Sequence, residues 1–543
     1  MTEKRQILKS AWIIGLFTLA SRICGYWRDQ RITLLLGTSG LADSFILAFR
    51  IPNLIRHFIG EGSMTAAFVP VFTEYLNKRS EEETWEFAQR VFWTAALVLS
   101  VLAVLGSLFS GSIIHVFTIF GRSKTQWDQA VFLNRVMFPY ALLIGLAAVA
   151  MSILNSLLIF GLPAATSVLF NLSVILFSCG AIYRPVMKWA PLGYRTPAAA
   201  LAVGILLGGT LQFVVQVPEL VKRGMRFRFS VSFTDPGVRR VAALLGPSLV
   251  GIGIYQVNAV VDTIFATSGR MPEGSVTALY VADRIMELVL GTYAIAVATA
   301  ILPVMSQQAA VRDFPKLKQT LAFSVRIVSF ITIPAALGLM VLRRPIVSVL
   351  FEHGRFGADS TLLTARALLY YAAGLPAFAG VKLIMPAFYS QQDTKTPVMA
   401  AAGAMAMNVA LNVLFLVFLF AKLQNGTPAL ATSLAAYFNF FLLFFILRGR
   451  VGALGGRAVA YSLGKVAVSS AAMAGACFGM LRLMASAWGG PVIHKVAVLT
   501  ATVSAAVGIF LGVSWLLGCE EIHELLDILK RRSATGTEIS LPG

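Results

Sequence analysis

Apolar residues fill the chain in blocks of about 20 or more, the length a helix needs to cross a bilayer, and short polar stretches separate the blocks. Windows of that length predict about fourteen spanning helices, near 8–36, 40–60, 86–114, 130–157, 162–182, 196–218, 240–267, 276–304, 320–342, 361–388, 397–420, 428–447, 459–484 and 493–518. The first two are weaker because charges interrupt them. The connections are short and none has room for a soluble domain. The largest, 219–239 and 343–360, carry only charge that would orient the helices. The N-terminus has basic residues before an apolar run but no small-residue cleavage site, and the run continues through Arg22 and Arg28, so it reads as a retained first helix.

Composition points to the same solvent. Of 543 residues, 57% are hydrophobic and 13% charged, with a mean hydropathy of +0.77. Soluble domains carry about 25% charged residues, so a soluble enzyme is excluded. The 45 Lys+Arg exceed the 25 Asp+Glu by a net +20, a balance that would suggest nucleic acid in a soluble protein. In a bilayer, basic residues instead orient helices and intramembrane charges mark function, so no nucleic-acid partner is expected. With a cytoplasmic N-terminus, about 22 basic residues fall in inside segments and about 10 outside. The bias predicts both termini on the cytoplasmic side. The four cysteines (Cys24, Cys179, Cys477, Cys519) lie in or beside apolar segments without metal or disulfide spacing, and the five histidines form no ligand pair.

Two passages echo each other at one interval. Ala67-Phe68-Val69-Pro70 has a counterpart in Ala300-Ile301-Leu302-Pro303, and Ser156 with Pro163 in Ser390 with Pro397, about 234 residues on. Arg50-Ile51 similarly matches Arg284-Ile285. An interval of six helices preserves topology, so the expected fold is an all-α integral membrane protein of two pseudo-symmetric six-helix lobes plus two C-terminal helices. The expected divisions are 1–218, 219–450, 451–518 and a polar tail, 519–543, that holds Lys530-Arg531-Arg532. Such repeats are a transporter signature, with the substrate site between the halves.

The informative residues are charges inside the spans. Arg22 and Asp29, seven apart, lie about 20° from one another around a helix, and Arg28 stands beside them. Asp43 and Arg50 repeat the spacing in the second helix, with Asn53, Arg56 and His57 continuing it and Glu61 at its end. The eighth helix holds Asp283, Arg284 and Glu287. An Arg near the bilayer centre costs about 2.5–3.5 kcal/mol, so Arg22, Arg28, Arg56 and Arg284 are expected to face protein or a water-filled cavity. Pairing with the acidic residues as interhelical glue is the alternative, although Arg50, Arg56 and His57 leave the set cationic. Surplus guanidinium groups suit phosphate, which they grip as a bidentate fork. A second polar set, Asn258 and Asp262 in the seventh helix with Asn408, Asn412 and Thr432 in the eleventh and twelfth, offers oxygens to a small hard cation such as Na+. An interhelical hydrogen-bond network explains it equally well.

Ser21-Arg22-Ile23-Cys24-Gly25-Tyr26-Trp27-Arg28-Asp29 resembles the first-helix signature S-R-x-x-G-x-x-R-D of the MurJ/MviN family of lipid II flippases. Ala42-Asp43-Ser44-Phe45, Arg50-Ile51-Pro52-Asn53-Leu54-Ile55-Arg56, Glu61-Gly62 and Ala67-Phe68-Val69-Pro70 continue the pattern. Tyr280–Glu287 and Phe388–Pro397 are similar to second-half signatures, and the likeness covers about residues 8–450. It implies a member of the MOP exporter superfamily, a transporter and not an enzyme. The implied substrate is lipid II, an undecaprenyl-pyrophosphate disaccharide-pentapeptide, carried from the inner to the outer leaflet of the bacterial inner membrane by alternating access for peptidoglycan synthesis.

The family's substrate-binding arginines would be Arg22, Arg28, Arg56 and Arg284. Asp29, Asp43, Glu61 and Glu287 would gate or hold them. The last two helices would form a groove for the polyprenyl tail. Some members have a sodium site, near which Asp262, Asn408, Asn412 and Thr432 fall, although a carboxylate expected in the eleventh helix is here Asn412. Na+ coupling or the membrane potential would then drive transport. Membrane lipids and other cell-wall synthesis proteins are the implied partners. The alternatives are a flippase for another polyprenyl-linked saccharide, a multidrug exporter of the same superfamily, and a membrane-embedded polyprenyl sugar transferase.

Overall fold

The computed structural model describes residues 3–60, 63–121, 124–453, 456–484, 490–522 and 524. Helices dominate, and the described residues contain no strand. Close packing divides the chain into two units, Met1–Thr277 with Phe351–Ser360, and Ala278–Leu350 with Thr361–Gly543.

The first unit holds α1 (Glu3–Leu36), α2 (Gly40–Gly60), α3 (Ser63–Lys78), α4 (Glu81–Leu108), α5 (Ser110–Phe117), α6 (Lys124–Met137), α7 (Tyr140–Ser156), α8 (Gly161–Phe177), α9 (Gly180–Val186), α10 (Pro197–Val214), α11 (Val217–Lys222) and α12 (Pro236–Ala266). Its core stacks Phe68, Phe72 and Phe87 of α3 and α4 against Val149 and Ile153 of α7. α10 carries Gly204 and Gly208 one turn apart, and both face α8. A Cβ on Gly208 would stand 2.7 Å from the Phe170 ring and 3.2 Å from the Phe170 carbonyl oxygen. Small residues at this spacing let two helix backbones approach closely, and α8 in turn packs along α1. α12 packs against α2, α3 and α4. Division by packing therefore keeps with the first unit a helix that the sequence repeat assigns to the second half.

The second unit comprises α13 (Ser275–Ala310) beyond its first turn, α14 (Phe314–Phe351) up to Leu350, α15 (Ala358–Tyr389) from Thr361, α16 (Lys395–Leu414), α17 (Phe420–Leu423), α18 (Thr427–Val451), α19 (Gly456–Leu483) and α20 (Val492–Leu516). α19 and α20 pair with each other and pack on α14, where Phe330 meets Phe510 at 4.9 Å between centroids.

Each of the fourteen sequence windows falls on a helix or on helices separated by a short break. Nine described stretches are long and apolar enough to cross a bilayer, or ten if α8 and α9, bent by 76°, form one span. One of the nine, Lys395–Val451, is 57 residues long. A straight helix of that length would measure about 85 Å against an apolar core of about 30 Å, so α16 and α18 are separate crossings.

The 343–360 segment is mostly not a loop. α14 runs through Pro334 and Pro345 to Phe351, and the Arg343 guanidinium folds back to donate to the Met340 carbonyl beside the second proline. In 219–239, α11 is followed by an extended segment leading to α12. The tail beyond residue 524, with Lys530-Arg531-Arg532, lies outside the described residues.

The repeat is visible in the backbone. Leu158 and Gln392 both have a left-handed φ of 60°. The Leu158 N–H donates to Asn155 and the Ile159 N–H to Leu154, while Gln392 donates to Tyr389 and Asp393 to Phe388. The same unusual turn thus recurs at an interval of about 234 residues, and each precedes the matched proline.

Candidate functional site

The α1–α8 contact fixes Arg28. Its Nε and Nη2 donate to Asp29 Oδ1 at 2.9 and 2.7 Å, and Nη1 donates to Asn171 Oδ1 at 3.0 Å. The guanidinium carbon lies 5.9 Å from the Phe170 ring centroid. Asn171 Nδ2 donates to the Ser21 carbonyl at 3.1 Å, so one amide of α8 ties two points of α1. Arg31, one turn beyond Arg28, donates to Ser178 Oγ at 3.0 Å and to the Ser178 carbonyl at 3.2 Å, where α8 breaks into α9. A cation at a helix C-terminus meets the negative end of the dipole. Asp29 is buried, whereas Arg22 sits on an exposed part of α1.

Asp43 and Arg50 share a helical spacing but have separate partners. Asp43 is fully buried and accepts hydrogen bonds from the Gly274 and Thr277 N–H groups at 2.9 and 2.8 Å and from the Thr277 hydroxyl at 2.8 Å. It therefore caps the first turn of α13, where an anion is favoured by the helix dipole. Gly274 has φ +86°, and a Cβ there would meet the Thr38 carbonyl oxygen at 2.3 Å. Arg50 donates to Thr263 Oγ1 at 3.1 and 2.8 Å and to the Ala259 carbonyl at 3.0 Å, and it makes no ion pair among the described residues.

Further along α2, Arg56 Nε donates to Asn53 Oδ1 at 2.9 Å and its Nη2 lies 3.2 Å from His57 Nε2. Arginine can only donate, so His57 Nε2 is the acceptor there and the ring proton belongs on Nδ1. Glu61 lies outside the described residues.

In the second unit, Arg284 Nη1 donates to Glu287 Oε2 at 2.5 Å and its guanidinium carbon lies 5.1 Å from the Tyr280 ring. Asp283 is half-buried beside it. Lys382 of α15, absent from the sequence reading, is close enough to Glu287 for their charges to interact. Asn408, Asn412 and Thr432 are brought together. Asn408 Nδ2 donates to Thr432 Oγ1 at 2.8 Å, and Asn412 Nδ2 donates to Asn408 Oδ1 at 2.9 Å. Hydrogen bonds therefore link the three side chains across α16 and α18. Asp262, the one carboxylate of the set, is buried in the first unit. Among the described residues no three His, Cys, Asp or Glu side chains form a metal-holding group.

Arg31, Asn171 and Lys382 are the residues that sequence reasoning missed. Lys382 was open to discovery by the burial-cost argument applied to the arginines, because it lies in an apolar window. Asn171 and the partners of Arg31 had no local signal.

The family model described as lipid II flippase MurJ matches residues 32–499. A probable lipid II flippase MurJ of Vibrio cholerae is 33% identical over 95% of this chain and 97% of its own length. Its counterpart in Haemophilus influenzae is 32% identical over 79% and 83%. A solved lipid II flippase MurJ in an inward closed conformation superposes with a TM-score of 0.75 at 25% identity, over 93% of this chain and 98% of that one. An inward-facing multidrug resistance MATE transporter of the MOP superfamily, at 16% identity, 80% and 96% coverage and a TM-score of 0.64, shares the fold. A family match spanning most of the sequence, with relatives matched over nearly their whole length, shows that the chain belongs to the MurJ family.

Proposed function

We propose that this chain carries lipid II from the cytoplasmic to the outer leaflet of the inner membrane by alternating access, with no covalent step. The observation that supports it most is Arg28, held in α1 between a carboxylate and the neutral Asn171. A pyrophosphate oxygen pair would replace Asp29 at Nε and Nη2, while Asn171 keeps Nη1 in place. Nε and Nη2 now converge on the single Asp29 Oδ1; facing a pyrophosphate the same edge can take one oxygen on each nitrogen, and an arginine stays cationic at any working pH. Arg22, exposed on α1, Arg56, held by Asn53 and His57, and Arg284 are the further phosphate-binding groups of this reading. Asp29, Asp43, Asp283 and Glu287 hold or gate them, together with Arg50, Asn53 and His57. The apolar window of α20 is only 17% buried and that of α19 28%, which leaves apolar surface suited to a polyprenyl chain.

The twofold bias of basic residues supports a cytoplasmic position for both termini in this reading. Of the two drives, the membrane potential, at about 2.3 kcal/mol per charge per 100 mV, is favoured over Na+, because an amide, Asn412, stands in α16 where the resemblance led us to expect a carboxylate. Rescue of a conditional flippase mutant, scored by exposure of lipid II at the outer surface, tests the reading. Restored exposure is expected, and an inserted chain that restores none would overturn it.

A further inference from the structure

The extended segment between α11 and α12 alternates basic and aromatic residues, Arg226-Phe227-Arg228-Phe229, and ends at Phe233-Thr234-Asp235. Successive side chains of an extended chain point to opposite sides, and residues 225–228 alternate in that way. Met225 is buried and Phe227 packs on Phe92 of α4 at 5.2 Å between centroids, while Arg226 and Arg228 are exposed. The strap is fastened at its far end. Thr94 Oγ1 accepts from the Ser232 N–H at 3.2 Å, and Asp235 caps α12 while accepting from Arg90 at 2.7 Å. Arg226 and Arg228 make no ion pair among the described residues, in contrast to Arg90, Arg223 and Arg240, which have carboxylate partners nearby.

The level of the strap relative to lipid is set by α4. Arg90 is the last charged residue of that helix, and 91–108 carries none. Trp93, Leu97, Val101 and Leu105 follow at one-turn intervals, and the last three are exposed and apolar, as a lipid-facing stripe must be. Phe229 contacts Trp93 at 5.2 Å yet remains 75% exposed, and Phe233 is 56% exposed. Two exposed phenylalanines at the polar end of a lipid-facing stripe, with unpaired arginines on the same strap, have the composition of a membrane interface: rings at the acyl boundary and guanidinium groups at the phosphates.

We propose that the 225–234 strap is a binding surface for anionic phospholipid, with Arg226 and Arg228 on the headgroup phosphates and Phe229 and Phe233 among the upper acyl chains. Its assignment to the cytoplasmic leaflet rests on the proposed orientation, whereas its lipid preference does not depend on it. A basic residue near an anionic surface contributes about 1 kcal/mol. Two of them correspond to an enrichment of anionic over neutral lipid of about 30-fold at about 1.4 kcal/mol per tenfold.

Trp93 supplies the reporter. The full chain is placed in phosphatidylcholine nanodiscs containing either brominated phosphatidylglycerol or brominated phosphatidylcholine, and the Trp93 share of quenching is taken as the difference from Trp93→Phe. Expected at low salt is a phosphatidylglycerol enrichment at Trp93 approaching that 30-fold value and well above the average of the other tryptophans. It should fall to that average in the exposed double variant R226Q/R228Q and in high salt. Enrichment at Trp93 no greater than at the other tryptophans, or an enrichment that survives in R226Q/R228Q, would overturn the proposal.

Discussion

Gly208→Ala adds one methyl group in α10, a helix with no charged residue, and should nevertheless impair transport. The new Cβ would lie 2.7 Å from Phe170 Cδ2, 3.2 Å from the Phe170 carbonyl oxygen and 3.3 Å from its Cα. Carbon contacts settle at about 3.5–4.0 Å, so the Phe170 ring must move by about 1 Å and the α8 backbone must give by a few tenths of an ångström. Rotation of the ring cannot absorb all of this, because two of the three close atoms are backbone. The Phe170 ring is also flanked by Tyr140, at 5.5 Å, and by Arg28. Asn171 is the next residue, and its 3.0 Å bond to Arg28 Nη1 would lengthen by a few tenths of an ångström, toward the limit of hydrogen-bonding range. A hydrogen bond to a charged group contributes about 1.5–3 kcal/mol, and overpacking costs about 1–3 kcal/mol more. The assay compares membrane abundance with lipid II exposure in cells depleted of their own flippase. The variant should accumulate yet expose several-fold less lipid II, and Phe170→Leu in the same chain should recover only part of the loss, since the backbone contacts persist. Full exposure by Gly208→Ala alone would refute the chain of reasoning from α10 through α8 to Arg28.

Asp43→Ala would leave two buried N–H groups and one hydroxyl at the start of α13 without their acceptor, at a cost of about 2 kcal/mol or more; thermal unfolding in detergent should register it, and an unchanged melting temperature would contradict the cap. In the α15–α16 turn, hydrogen bonds from the Thr396 hydroxyl and N–H, aided by the Arg450 guanidinium, hold the Asp393 carboxyl down to about 2. A carboxylate depressed on folding stabilises the protein above its unfolded value near about 4 and loses that effect as pH falls toward 2. The melting-temperature gap between the protein and Asp393→Asn should therefore be constant near neutrality and close across that acidic window; a gap that widens on acidification would be inconsistent. Replacing sodium by choline in proteoliposomes with an imposed potential should leave lipid II movement unchanged, because an amide, Asn412, stands in α16 where the resemblance led us to expect a carboxylate; a sodium requirement would show that the ion is held without that charge.

The helices were legible as long apolar runs, of which nine or ten among the described residues are long and apolar enough to cross a bilayer, whereas the left-handed turns at Leu158 and Gln392 had no signal beyond the spacing of the serines and prolines around them. The charges could be located but their partners could not. Spacing by seven put Asp43 and Arg50 on one face, yet Asp43 bonds to Gly274 and Thr277, and Arg50 to Thr263. Those contacts join residues more than 200 positions apart, and helical periodicity carries no information about them. Asn171 was invisible for the same reason. The helical extension through Pro345 was missed because Arg343-Arg344 end the apolar run, and an apolar window ends with it whether or not the helix does. The α12 helix shows a further limit, since repeat units inherited in sequence need not coincide with the units that pack together.

Lipid II exposure at the surface of depleted cells, measured for Arg28→Ala and Arg284→Ala beside Arg28→Lys, tests the central claim most directly. The arginine forks are proposed to grip pyrophosphate, so both alanine variants should insert and accumulate but expose no lipid II, and Arg28→Lys, with charge but no bidentate geometry, should recover only a fraction. Full exposure by either alanine variant would contradict the account.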